Sequence, residues 1–176
     1  PYGFAVVTED GRKKPDLTET VRLCELLRDK GVTLINISAS SPRERLFGPE
    51  PTDERYKKYS TSCDYLQATK YLREHVPGIA FMCTGLTSFG AHGGQVAAGG
   101  VRDGWFDIAG FGRQALAYPG FASDILADRG MQADRICVNC FKCYSLMDPG
   151  YCRTGCIVRD REEFYPLYQR NVLGEE

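Results

Sequence analysis

The sequence predicts an α/β protein built on a parallel sheet, and two observations carry that reading. Short β-branched or apolar runs at 32–37, 79–83 and 105–109 alternate with stretches of helical periodicity. Glycine-containing turns follow the second and third of these runs directly. Strands alternating with helices imply parallel pairing through right-handed crossovers. About three βα units are visible, with residues 2–7 as a fourth strand or a lead-in. A closed (β/α)₈ barrel needs eight units and about 250 residues. The 176 residues therefore suit either a small open α/β domain or part of a barrel.

The elements follow in order. Asp16 caps a first helix, with Glu19 three positions on and Pro15 before it. Leu17, Val21, Cys24 and Leu27 recur at helical spacing, and Gly31 ends the helix. Residues 32–37 form a buried strand. Residues 38–60 read as a long polar loop with Pro42, Pro49 and Pro51. Tyr65, Thr69 and Leu72 mark a second helix that stops near Val76-Pro77-Gly78. After the strand at 79–83 come a glycine-rich turn and a small-residue helix around residues 95–98. After the strand at 105–109, Gln114-Ala115-Leu116-Ala117 opens another helix.

Composition excludes some partners. Net charge is −1, with 26% charged and 43% hydrophobic residues, so there is no basic surface excess for nucleic acid or an anionic membrane. No apolar run approaches the roughly 18 residues of a membrane span. With no secretory signal, a cytoplasmic, reducing setting is expected, where cysteines bind metal or pack.

The turns Thr84-Gly85-Leu86-Thr87 and Gly110-Phe111-Gly112-Arg113 carry chemistry. Glycine after a parallel strand lets backbone N–H groups approach an anion. Arginine adds a permanent cation with a fork suited to phosphate. Each turn taken alone is also explained as a tight connection. Two consecutive turns, one with Arg113, point to phosphate.

From residue 107 the sequence runs Asp-Ile-Ala-Gly-Phe-Gly-Arg-Gln-Ala-Leu-Ala-Tyr-Pro. This segment resembles the last-strand signature of the Old Yellow Enzyme family of flavin oxidoreductases. The resemblance extends over nearly the whole chain and implies the C-terminal portion of an FMN-binding TIM barrel. It places Gly112 and Arg113, with Gly85 and Leu86 of the preceding turn, on the FMN phosphate. It also implies a reduced nicotinamide, NADH or NADPH, as electron donor and a small-molecule acceptor. The family's catalytic residues precede the segment seen here and are expected upstream of Pro1. The isolated chain is accordingly expected to be inactive, to lack FMN and to self-associate. At 88–94 the chain has Ser-Phe-Gly-Ala-His-Gly-Gly, where the family usually has proline and acidic residues.

Five of the eight cysteines fall between 137 and 156. Cys137, Cys140 and Cys143 recur at two-residue gaps, and Cys156 follows after twelve residues. Thiolates so spaced converge on one metal centre, as in [4Fe–4S] sites. Structural zinc, or disulfides and free thiols, are the other chemistries this pattern admits. The spacing resembles the iron–sulfur branch of the same family, represented by 2,4-dienoyl-CoA reductase and trimethylamine dehydrogenase, in which a cluster relays electrons to FMN. The composition thus divides the chain into a barrel portion, 1–136, and a cysteine-rich tail, 137–176. A non-catalytic module that binds a phosphate ligand or zinc is the alternative. Cys24, Cys63 and Cys83 fit core positions. His75 at a helix end and His92 in a turn fit surface roles, Trp105 fits strand–helix packing, and the polar residues 43–58 fit either a substrate entrance or a solvated loop.

Cys152 is the spare thiol of the run, either an alternative ligand or a packed side chain, and packing is the reading favoured. Cys152→Ser should keep the metal, whereas Cys156→Ser should lose it. Iron, sulfide and zinc assays after anaerobic purification check this, and the reverse pattern would reassign the fourth ligand.

Overall fold

In a computed structural model, residues 5–7, 9, 13–38, 52–147 and 153–175 are described. The chain forms two compact units, one comprising Pro1–Ser88 with Gln95–Gly110, the other Phe89–Gly94 with Phe111–Glu176. The compositional boundary at 137 falls inside the second unit.

The first unit holds a three-stranded parallel sheet, β3 (Leu34–Ile37), β4 (Ala80–Cys83) and β5 (Ile108–Ala109), with β4 in the middle. Leu34 pairs with Ala80 and Ile37 with Cys83, while Met82 pairs with Ile108. The helices α1 (Thr18–Asp29) and α2 (Glu54–His75) complete the alternation. This confirms the α/β class and the parallel sheet. Strands β1 (Ala5–Val7) and β2 (Lys13–Pro15), by contrast, pair only with each other, antiparallel. Of the fourth strand or lead-in expected at 2–7, Ala5–Val7 is a strand, but it lies outside the parallel sheet; a short return of chain lets an antiparallel partner close locally without a crossover.

One face of the sheet is packed. Ile37 and Phe81 meet Leu17 and Cys24 of the first helical segment and Ala68 and Leu72 of α2 in one apolar cluster. Leu72 is fully buried, so truncation to Ala there costs about 2–5 kcal/mol. On the other face, Leu34 is 42% exposed and Ile108 40% among the described residues. Parallel sheets are normally covered on both faces.

Several sequence-based boundaries move. Helix α1 begins at Thr18, and Asp16 acts from just outside it, its Oδ1 accepting the Thr18 N–H at 2.9 Å. Helix α2 starts at Glu54, inside the stretch read as loop. Its first two turns are polar and lack an apolar stripe, so no periodicity betrays them. Residues 39–51 lie outside the described residues. The strand read at 105–109 contracts to β5, because Trp105 and Phe106 belong to the turn before it, where Phe106 is buried. Lys70 Nζ sits 4.9 Å from the centre of the Trp105 ring. Cys24 and Cys83 are buried and Cys63 is half-buried in α2. Burial pushes the Cys83 thiol up to about 11, against a hydrogen bond with Thr69 that lowers it.

Asp107 ties these layers. Its Oδ2 accepts the Phe81 N–H at 2.9 Å and its Oδ1 accepts from Arg73 Nε at 3.1 Å. The Asp107 N–H in turn donates to the Phe81 carbonyl at 2.9 Å. Burial would raise its carboxyl, but the Arg73 hydrogen bond, the Phe81 N–H and the Arg73 charge together hold it below its usual value.

A depressed folded-state pKa contributes stability above the unfolded pKa, and that contribution is lost as pH falls through the folded value. Wild type should therefore be more stable than Asp107→Asn at about pH 7, and the gap should narrow below about pH 4, the ordinary range of Asp. Urea midpoints at the two pH values measure this. A gap that does not change with pH would show that the charge of Asp107 adds nothing.

Candidate functional site

In the first unit, β4 runs into Thr84-Gly85-Leu86. The Thr84 hydroxyl donates to the Ile37 carbonyl at 2.8 Å, which closes the strand end. Gly85 has φ +94, and a Cβ there would meet the Tyr65 ring at 2.5 Å. Both the backbone and the approach of Tyr65 therefore require glycine. Ser62 Oγ donates to the Gly85 carbonyl at 2.8 Å. Leu86 is fully buried and begins a 3₁₀ segment, Leu86–His92, which leads into α3 (Gly93–Arg102). Packing thus accounts for Gly85 and for the Leu86 side chain without a ligand, while the backbone amides of the turn are untouched by that account.

The longer span of the second unit opens with an extended Phe111 and the short helix α4 (Gly112–Ala117). Gly112 differs from Gly85. Its φ is not in the left-handed region, and nothing lies within 4 Å of where its Cβ would be. Neither conformation nor packing against the described residues requires glycine there. Arg113 comes next, its guanidinium 3.9 Å from the centre of the Phe141 ring. Gln114 is fully buried, and its Oε1 accepts the Cys137 N–H at 3.0 Å.

Arg113 Nη1 and Gln114 Nε2 are both buried and have no hydrogen-bond partner among the described residues. A buried donor left unsatisfied costs about 1–3 kcal/mol, more when charged. Two on consecutive residues call for an acceptor-rich group.

The cysteine run lies in the same unit. Cys137 and Cys156 are buried and pack with Ala117 and Leu116. Cys143 is half-buried and Cys140 exposed. Burial pushes the Cys137 thiol up; the Asn139 N–H, 3.4 Å from its sulfur, and the Arg113 charge pull it down, and Cys156 and Cys140 push it up again. Burial likewise raises Cys143, which feels Cys137, Arg113, Cys140 and Cys156 in turn. The four cysteines are free thiols, and among the described residues no three His, Cys, Asp or Glu side chains are gathered closely enough to hold a metal ion. Cys152 lies outside the described residues.

The surrounding backbone is held at several points. Thr154 donates to the Cys143 carbonyl at 2.7 Å, and Arg159 donates twice to the Ile136 carbonyl, at 3.1 and 2.9 Å. Asn139 (φ 56) and Phe141 (φ 60) are both left-handed. Asparagine tolerates this region, whereas for a bulky phenylalanine it is a true outlier. Backbones of this kind build the anion-binding concavities found at many phosphate and iron–sulfur sites.

Sequence reasoning singled out Gly85, Leu86, Gly112, Arg113 and the four cysteines. Gly85 and Leu86 belong to the first unit, the others to the second. It missed Gln114, read only as a helix opener, and Phe141. A polar residue between Arg113 and the apolar Ala-Leu-Ala run was the available signal for Gln114; nothing in the sequence marks a left-handed phenylalanine. His75 is exposed, with Nδ1 2.7 Å from the Tyr71 carbonyl and its ring stacked on Tyr71, a surface role. His92 is also exposed. Comparison of the chain with protein-family models, curated proteins and solved structures found no match.

Gln114→Leu should strand the buried Cys137 N–H and destabilise the second unit by about 1–3 kcal/mol. Limited proteolysis of the tail reads this out. Protection equal to wild type would mean that the bond contributes nothing to holding the tail.

Proposed function

We propose that this chain contributes the FMN-phosphate side and the cluster-binding tail of a flavin-dependent NAD(P)H oxidoreductase of the Old Yellow Enzyme type. The observation that carries the reading is the pair of buried donors on Arg113 and Gln114 that have no partner among the described residues, in the same unit as Gly112 and the four cysteines. An oxyanion such as the FMN phosphate satisfies such donors, and Arg113 offers it a charge-assisted bond. The flavin supplies the hydride chemistry when bound, and the protein positions it and tunes its electronics. Within this chain, Gly112 leaves room for close approach, Arg113 holds charge, and Gly85 and Leu86 offer backbone amides at the end of β4.

Cys137, Cys140, Cys143 and Cys156 suit a [4Fe–4S] cluster by type and number. Thiols raised by burial must lose their protons on binding metal, and among the described residues no three such side chains are gathered closely enough to hold one. The sheet face on which Leu34 and Ile108 are exposed among the described residues supports a sheet whose second face is covered elsewhere, as the interior of a barrel is. The same face is the surface through which copies of the isolated chain would associate. The substrate is then a small molecule, with neither nucleic acid nor membrane as partner. Among the described residues no helix is long and apolar enough to cross a membrane.

A zinc-held interaction module uses the same thiols without redox chemistry, and the absorption spectrum separates the two. Flavin bands with a broad iron–sulfur absorbance support the oxidoreductase; a colourless protein with stoichiometric zinc rejects it. Arg113→Ala should weaken FMN binding by about 1.5–3 kcal/mol, the range for a hydrogen bond to a charged group, or roughly ten-fold to over a hundred-fold in Kd. Equal FMN retention in wild type and variant would remove Arg113 from the phosphate site.

A further inference from the structure

Gln114 and Arg113 each commit one part of the side chain to the stretch from Cys137 to Phe141 and leave another part unmatched. Gln114 is fully buried, and its Oε1 accepts the Cys137 N–H at 3.0 Å. That bond fixes the amide, because the opposite orientation would set its NH₂ against another N–H. The remaining end is therefore Nε2, which only donates and has no acceptor among the described residues. The Arg113 guanidinium lies 3.9 Å from the centre of the Phe141 ring, and its buried Nη1 likewise has no acceptor among them. The stretch thus meets α4 through the two residues whose donors are unmatched.

We propose that Gln114 couples phosphate binding to the docking of this stretch: Nε2 donates to the bound phosphate while Oε1 holds the Cys137 N–H. This rests on the reading of Arg113 as a phosphate ligand. An amide edge that only donates selects a group that only accepts, and turns cations away. A phosphate presents three strong acceptor oxygens, enough to serve donors that diverge, as side chains on consecutive helix positions do. Neither donor is open to solvent, so the anion enters by displacing a neighbour. Over Arg113 that neighbour is the Phe141 ring, which is 43% exposed. Once Nε2 donates to the anion the amide is more polarised, and Oε1 becomes a better acceptor for the Cys137 N–H. Occupancy then tightens the stretch, and by linkage a docked stretch favours occupancy.

The test uses the full chain, wild type and Gln114→Glu. Inorganic phosphate, FMN and riboflavin, the flavin without its phosphate, are titrated by calorimetry, and hydrogen exchange of the Cys137 amide is followed with and without each. In wild type, phosphate and FMN should bind and slow that exchange, and riboflavin should leave it unchanged. Gln114→Glu keeps an acceptor for the Cys137 N–H but sets a carboxylate oxygen where Nε2 donated. Its phosphate affinity should fall about ten-fold or more, the effect of one lost hydrogen bond to a charged group, and its Cys137 exchange should no longer respond. Equal phosphate affinity in the two proteins would overturn the coupling and leave Arg113 as a phosphate ligand; so would wild type that binds phosphate with unchanged Cys137 exchange. If Gln114→Glu does not fold, Gln114→Met, uncharged and of similar length, is judged by the same affinity criterion. Riboflavin that slows exchange as FMN does overturns the coupling too, since the phosphate then plays no part. Wild type that binds neither phosphate nor FMN rejects the phosphate reading itself, and this inference with it.

Discussion

The hydrogen bond from the Cys137 N–H to the buried Oε1 of Gln114 is the contact on which the second unit is organised. It joins a short helix, too short to stand by itself, to a cysteine run with little regular structure. Both partners are inaccessible to water, so the alternative to this bond is an unsatisfied amide and an unsatisfied carbonyl. With it in place, Ala117, Leu116, Cys137 and Cys156 share one small apolar cluster. Arg113 is thereby held on the same side as the thiols, stacked on Phe141. The tail from Thr154 to Arg159 is fastened to the Cys143 and Ile136 carbonyls. A few polar contacts here do work that in a larger unit would fall to a core.

The first unit is organised differently. Its sheet is small, and β5 contributes only two residues, so ladder hydrogen bonds alone specify little. Asp107 compensates by satisfying a backbone donor of β4 and anchoring Arg73 of α2 with one carboxylate. The apolar cluster around Phe81 and Leu72 then packs a single face. The opposite face keeps Leu34 and Ile108 in solvent, an arrangement at odds with how parallel sheets are usually buried.

Local strain is concentrated where the chemistry is proposed. Asn139 and Phe141 adopt left-handed backbone within the segment that carries three of the candidate ligands. The buried donors of Arg113 and Gln114 lie at the helix that meets this segment. Strain and unsatisfied donors cost free energy, and a bound anionic group would offset both by fixing the loop and accepting the hydrogen bonds.

The alternation of apolar runs with helical periodicity was sufficient to establish the α/β class, the parallel order of the three strands and the core roles of Cys24 and Cys83, because burial on one face imposes period and composition. Residue type and spacing were likewise sufficient to nominate Arg113, Gly112 and the four cysteines. Tertiary structure alone decided the rest. The start of α2 at Glu54 is invisible in a polar stretch without periodicity. The antiparallel pairing of β1 with β2 depends on which partner lies nearest, which composition does not encode. Gly85 proved to be required by its positive φ and the Tyr65 ring, Gly112 by neither. That Gln114 turns inward to the Cys137 amide, and that Phe141 lies beneath Arg113, are long-range contacts whose free energy appears only when separate segments meet, and no local pattern announces them.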